Sequence, residues 1–304
     1  MAKYLAYITI LLFLGLLIYA QEQTVDRVTV PFSNPSKPGK VEVSVHNGSI
    51  TVKGYEGKEV IVEAKTRGKT LQETEISKEA ARTIARELER VSREDKRLQA
   101  VKEKQEEKKA SLKGMRLIAP AGGTGLEVEE EDNEMEISAS TFRQTVDLTI
   151  QVPYHTSLEL GAHMNGDIVV ENVSGEIEVN NHTNSIKLTG ISGSAVAHTH
   201  SGEILITFKS VTPDKSMSFS TWAGDIDVTF PSNIKANLKM KSEQGEVYSD
   251  FDIQLDKTPQ KSVEEKEGKY RVSFEKFIMG TVNGGGSEFQ FNTYAGNIII
   301  RKAK

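Results

Sequence analysis

The 304-residue sequence has no cysteine, a single tryptophan and eight prolines, and only 7% of it is aromatic. Without cysteine there are no disulfides, no thiolate metal sites, no cysteine nucleophile and no lipoprotein attachment point, so stability rests on packing and backbone pairing. Neither sign of charge prevails: 38 Lys and Arg face 43 Asp and Glu, a formal net charge of -5 without any basic cluster. That balance argues against a nucleic-acid partner. The apolar fraction of 37% is low for a globular enzyme and suits a repeat protein with a thin core.

Long apolar runs are lacking too, with one exception. Residues 5–18 carry no charge and are almost wholly apolar, Lys3 precedes them, and Ala20 stands before Gln21-Glu22-Gln23. This predicts a secretory signal peptide over 1–20. The alternative is an uncleaved anchor, because Ile18 is large for the third position before a cut and the run 4–20 is just long enough to span a bilayer. Either way the remainder, 21–304, is exported to the periplasm, the outer surface or the medium. It meets a membrane only through this segment.

Residues 21–70 alternate in the manner of strands, with Val41, Val43 and Val45, a turn at Asn47-Gly48, then Ile50 and Val52. Over 71–110 the period changes: Ile76, Ala80, Ile84, Leu88, Val91, Leu98 and Val101 recur among dense charges, predicting one long amphipathic helix inserted into the β pattern. Strands resume at Leu126. Gly122, Gly123 and Gly125 read as a flexible turn, since no Lys-Ser or Lys-Thr pair follows to make a phosphate cradle. A polar loop insertion is expected at 256–269.

From residue 146 one unit recurs: a small or polar residue, Gly or Asn, an acidic or hydroxyl residue, then aliphatic, any, aliphatic. The Gly or Asn stands at 166, 175, 184, 193 and 202, nine apart each time, with looser copies at Gly224, Gly245 and Gly296. A fixed glycine phase suits a corner that turns through positive φ. Two and four residues past each corner stand pairs such as Ile168/Val170, Ile177/Val179, Ile186/Leu188 and Ile204/Ile206, the expected core. Three residues before corners come Asn181, Thr199, Thr221, Ser242 and Thr293, the expected inward polar ladder. Two nonads make a rung of 18 residues, and the predicted fold is an all-β, single-stranded β-solenoid, or β-helix, with the inserted helix.

The run 165–206, with its Asn-Gly-Asp-Ile, Val-Ser-Gly-Glu-Ile and Ile-Ser-Gly-Ser steps, resembles the bacterial putative-adhesin β-strand-repeat family, a domain of unknown function similar to head-domain adhesins of Bacteroidetes. Val152-Pro153, Phe230-Pro231, the Asn-Gly-Gly-Gly of 283–286 and the closing Ala-Gly-Asn-Ile of 295–298 belong to the same resemblance. It implies a β-solenoid on an envelope-facing protein without an established activity. The helical insertion departs from that pattern.

Candidate chemistry is sparse. His182 and His200, 18 apart, share a phase on consecutive rungs, and His198 lies beside them. Three imidazoles invite Zn²⁺ or Cu²⁺, against the simpler reading of an exposed polar column with no carboxylate to orient it. Met164, His182, His200 and Trp222 precede their corners by two, predicting a contact ridge for a partner protein or a sugar. The alternative places Trp222 in the core. The acids after the corners, Asp167, Glu176, Glu203, Asp225 and Glu246, raise a polysaccharide lyase or glycosidase. They lack clustered Arg or Lys to stabilise a developing oxyanion. Calcium is not expected, because the nonads lack paired glycines. The reading is therefore an exported, non-catalytic adhesin or structural module without a cofactor, its partner an envelope protein or a surface polysaccharide, with the carbohydrate-active enzyme as its rival.

Overall fold

The computed structural model describes residues 25–67, 123–141, 144–256, 260–266, 269–275 and 277–304. The chain divides into two compact units, one made of Gln23–Arg67 with Gly123–Lys304, the other of Met1–Glu22 with Gly68–Gly122. The second unit falls outside the described residues, and with it the expected signal peptide and the helix of 71–110. No helix occurs among the described residues, which are strands and their connections.

Two parallel ladders build the first unit. In one, β6 (Glu134–Ala139), β2 (Gly39–Asn47), β8 (Thr156–Met164), β10 (Ser174–Asn181), the second half of β11 (Ile186–Ser201), β13 (Met217–Ala223), β21 (Ser287–Ala295) and β15 (Ala236–Ser242) lie side by side in that order. In the other the order is β7 (Thr145–Pro153), β3 (Ile50–Tyr55), β9 (Ile168–Glu171), the first half of β11, β12 (Ile204–Val211), β14 (Ile226–Phe230), β22 (Ile298–Lys302) and β16 (Val247–Ser249). One strand from each ladder, joined by a corner, makes a rung. Strict alternation explains why each strand forms: Val41, Val43 and Val45 are buried while Glu42 and Ser44 point away from them.

The expected core is present, divided between two ladders. Ile168, Ile186, Ile204, Ile226 and Ile298 stand in register in the second ladder. The intervening nonads go to the first, where Leu158, Ile177 and Ala195 are register partners. Both inner faces contribute to one hydrophobic cluster. A rung is therefore two strands, and its 18-residue period is the sum of two nonads on opposite faces.

A single-stranded coil predicts rungs stacked in chain order, and here the structure differs. The rung 39–55 sits between 134–153 and 156–171, and the rung 287–302 sits between 217–230 and 236–249. Either order leaves two end rungs, each exposing a row of unpaired backbone groups; here 39–55 and 287–302 are paired on both sides, and the rungs left at the ends are 134–153 and 236–249. The ends are then closed largely by antiparallel strands. β4 (Glu59–Arg67) pairs with β7, β1 (Val25–Pro31) with β4, and β5 (Leu126–Glu131) with β6. Glu130 accepts from the Ser33 amide and hydroxyl and so ties the end of β1 to β5. At the opposite end β20 (Ile278–Val282) covers β15 and β17 (Gln254–Asp256) covers β20. The polar stretch 256–269, expected as a loop, contains β18 (Gln260–Lys266), which pairs antiparallel with β19 (Lys269–Glu275) in a sheet of its own.

Candidate contact surface

The corners position everything on the outer edge. A Cβ on Gly202 would meet the Asn184 carbonyl oxygen at 2.4 Å, one on Gly224 the Gly202 carbonyl oxygen at 2.1 Å, and one on Gly296 the Gly224 carbonyl oxygen at 2.0 Å. Positive φ holds at Gly193 (123°) and Gly224 (148°), but Gly166, Gly175 and Gly202 lie outside that region. Glycine is required chiefly because the corner of the neighbouring rung passes where a side chain would begin.

The polar ladder runs from rung to rung with backbone carbonyls as its acceptors; Asn181, Thr199, Thr221 and Thr293 are buried and Ser242 is half-buried. Thr199 Oγ1 donates to Asn184 O at 2.9 Å, Thr221 Oγ1 to Gly202 O at 3.0 Å, Thr293 Oγ1 to Gly224 O at 3.1 Å and Ser242 Oγ to Gly296 O at 2.8 Å. Asn181 Nδ2 donates to Gly166 O at 3.1 Å. Each satisfies a corner carbonyl that the strand ladder leaves open.

One residue further, outside the corner, rings stack along the solenoid. The centroids of His182 and His200 are 5.5 Å apart with planes 15° apart, His200 and Trp222 6.3 Å and 12°, and Trp222 and Tyr294 4.3 Å and 5°. His46 and His163 form a further pair at 5.9 Å, in the same register as His182. Of the predicted ridge, the structure brings together His182, His200 and Trp222, and Trp222 is 53% exposed, outside the core. Met164 is exposed but displaced by one position. Its corner contains an additional residue, Asn165, at φ 57°, so His163 takes the ridge place. Tyr294 and His46 were findable, since each stands two residues before a corner glycine; His163 was not.

Stacking restricts what the imidazoles do. Parallel rings send their in-plane lone pairs along parallel directions, whereas a shared ion needs each nitrogen about 2 Å away. His198 Nδ1 is engaged with Ser220 Oγ at 2.8 Å. Among the described residues no three His, Asp or Glu side chains form a group suited to a metal.

Two of the five acids after the corners are placed as caps. Asp167 Oδ1 accepts from the Ser185 amide at 3.1 Å and Asp225 Oδ1 from the Asn297 amide at 2.7 Å, each one rung away. Glu176 is paired with Lys215 at 2.6 Å, Glu246 with the Tyr248 hydroxyl, and Glu203 is exposed. Asp147 repeats the device: its Oδ1 accepts from the Ser49 amide at 3.0 Å, and Arg67 bonds both carboxylate oxygens. Burial alone would push the Asp147 carboxyl up, but hydrogen bonds from Arg67 and Ser49 outweigh it and hold it below its ordinary value.

Residues 164–275 match the family described as Toastrack DUF4097. The match spans the nonad run and agrees with the putative-adhesin resemblance. No curated protein matches the chain. Among solved structures, a putative cell adhesion protein from Clostridium sporogenes shares 10% identity over 93% of this chain and 100% of its own, with a TM-score of 0.37. A putative adhesin from Bacteroides fragilis shares 9% over 93% of this chain and 98% of its own, with a TM-score of 0.31.

Proposed function

We propose that the chain is an exported, non-catalytic binding module that presents the ring ladder at the corner edge to a partner in the cell envelope or at the cell surface. The carrying observation is the run His182, His200, Trp222 and Tyr294, held at rung spacing on the outside of a rigid stack. A preformed surface of this kind has little conformational entropy to lose on contact. The N-terminal sequence 1–20 supports export. Capping roles for Asp167 and Asp225 support a non-catalytic reading over the carbohydrate-active enzyme, because each carboxylate already accepts a backbone amide.

The test is capture from envelope extract by wild type and by Trp222→Ala, with thermal melts of both. Wild-type capture that disappears in a folded Trp222→Ala protein supports the proposal. Equal capture by both contradicts it. Release of reducing sugar from a polysaccharide panel, abolished by Asp225→Asn, would establish the enzyme instead.

A further inference from the structure

Beside the ring ladder lies a floor with unusual chemistry for this chain. Although 27% of the sequence is charged, no Asp, Glu, Lys or Arg occupies the outward positions over 196–200, 218–222 and 290–294. Ser218 is register partner to Gln290, and Ser220 to Asn292, half-buried beneath the exposed rim of Trp222 and Tyr294. The side chains of Ser218, Gln290 and Asn292 make no hydrogen bond among the described residues, so their donors and acceptors face outward unspent. Lys239 and Lys241 on one side and Glu178 on the other bound the neutral zone, which is three strands wide.

Resting on the contact reading above, we infer that this floor and its rim bind an uncharged, extended glycan that lies along the solenoid axis. Three features select that class. Amides and hydroxyls are complementary to sugar hydroxyl and acetamido groups. The absence of full charge disfavours anionic polymers and basic peptides, which would forfeit solvation without a counter-charge. The rungs recur every ~4.8 Å, similar to the rise of an extended β-linked pyranose chain, so successive sugars lie over successive rungs of the neutral zone. Ring faces within the ladder are occupied by one another, which leaves the rim to contribute ring edges, the indole N–H and the phenol O–H as a side wall.

Isothermal titration of the full chain with cellohexaose, chitohexaose and mannohexaose, with hexagalacturonate as the charged control, tests this inference. At least one neutral hexaose is expected to bind, hexagalacturonate more weakly, and Asn292→Ala and Gln290→Ala each to weaken binding roughly 5- to 10-fold, as for loss of one hydrogen-bonding group. Both substitutions lie outside the ring stack, and unchanged melting temperatures show that folding is intact. Failure of all three hexaoses at millimolar concentration, or binding indifferent to the double substitution, overturns the glycan. If wild type still captures envelope material that Trp222→Ala loses, the contact reading survives that failure; if Trp222→Ala captures as wild type does, both fall.

Discussion

Thr199 illustrates how single residues hold the corners. The hydroxyl of buried Thr199 donates to the carbonyl of half-buried Asn184, so Thr199→Val keeps the shape but removes that carbonyl's partner. A loss of about 1–2 kcal/mol is expected, read from the shift in a urea unfolding midpoint. Gly224→Ala acts through a different term, forcing a Cβ against the Gly202 carbonyl oxygen 2.1 Å away; about 2–4 kcal/mol should be lost. Asp147 links a corner to pH. Its folded value lies below the unfolded one, so its contribution is complete above the ordinary carboxylate range and lost as pH falls through the folded value. The stability gap between wild type and Asp147→Asn should therefore be largest near neutral pH and shrink as pH falls below the ordinary carboxylate range. Most of this scale was legible. Thr199, Thr221 and Thr293 declare themselves by phase, because a fixed distance from a corner fixes the side-chain direction. Asn165 did not, since one additional residue in a turn leaves the flanking alternation intact while shifting Met164 out of line.

At the scale of elements, strands and corners follow from alternation and the nine-residue step. The assignment of alternate nonads to opposite ladders is implicit in that step. Rung order is different. Local pattern determines which face a strand buries, and 39–55 satisfies it equally well at the end of the stack or inside it; its place depends on long-range pairing that belongs to the whole stack. The consequence is measurable. In a solenoid stacked in chain order, removing the last rung leaves its neighbour as a new end. Here removal of 287–304 takes β21 and β22 from between β13 and β15 and between β14 and β16. The truncated protein is expected to lose its cooperative unfolding transition, seen by circular dichroism, instead of melting a few degrees lower.

For the whole molecule, a thin apolar core and register pairing suffice to carry an outer surface of chosen chemistry. The same register that sets Phe219 beside Phe291 inside stacks Trp222 on Tyr294 outside, so the contact surface is a by-product of the coil. The sequence revealed the ridge through Trp222, His182 and His200. The neutral floor was hidden because Ser218 and Gln290 lie far apart in the chain and meet only through the inward return of the last rung.

That return is most directly tested by engineered disulfides, which the absence of native cysteine makes unambiguous. Ser218 pairs with Gln290, and Gln290 pairs in turn with Lys239, so Ser218 and Lys239 are two strand spacings apart, ~9.6 Å, beyond the ~7 Å reach of a disulfide. The double variant Ser218→Cys/Gln290→Cys is predicted to oxidise to a single intramolecular bond in the folded protein, and Ser218→Cys/Lys239→Cys to remain reduced. The opposite result would mean that the rungs stack in chain order and that Trp222 and Tyr294 never meet.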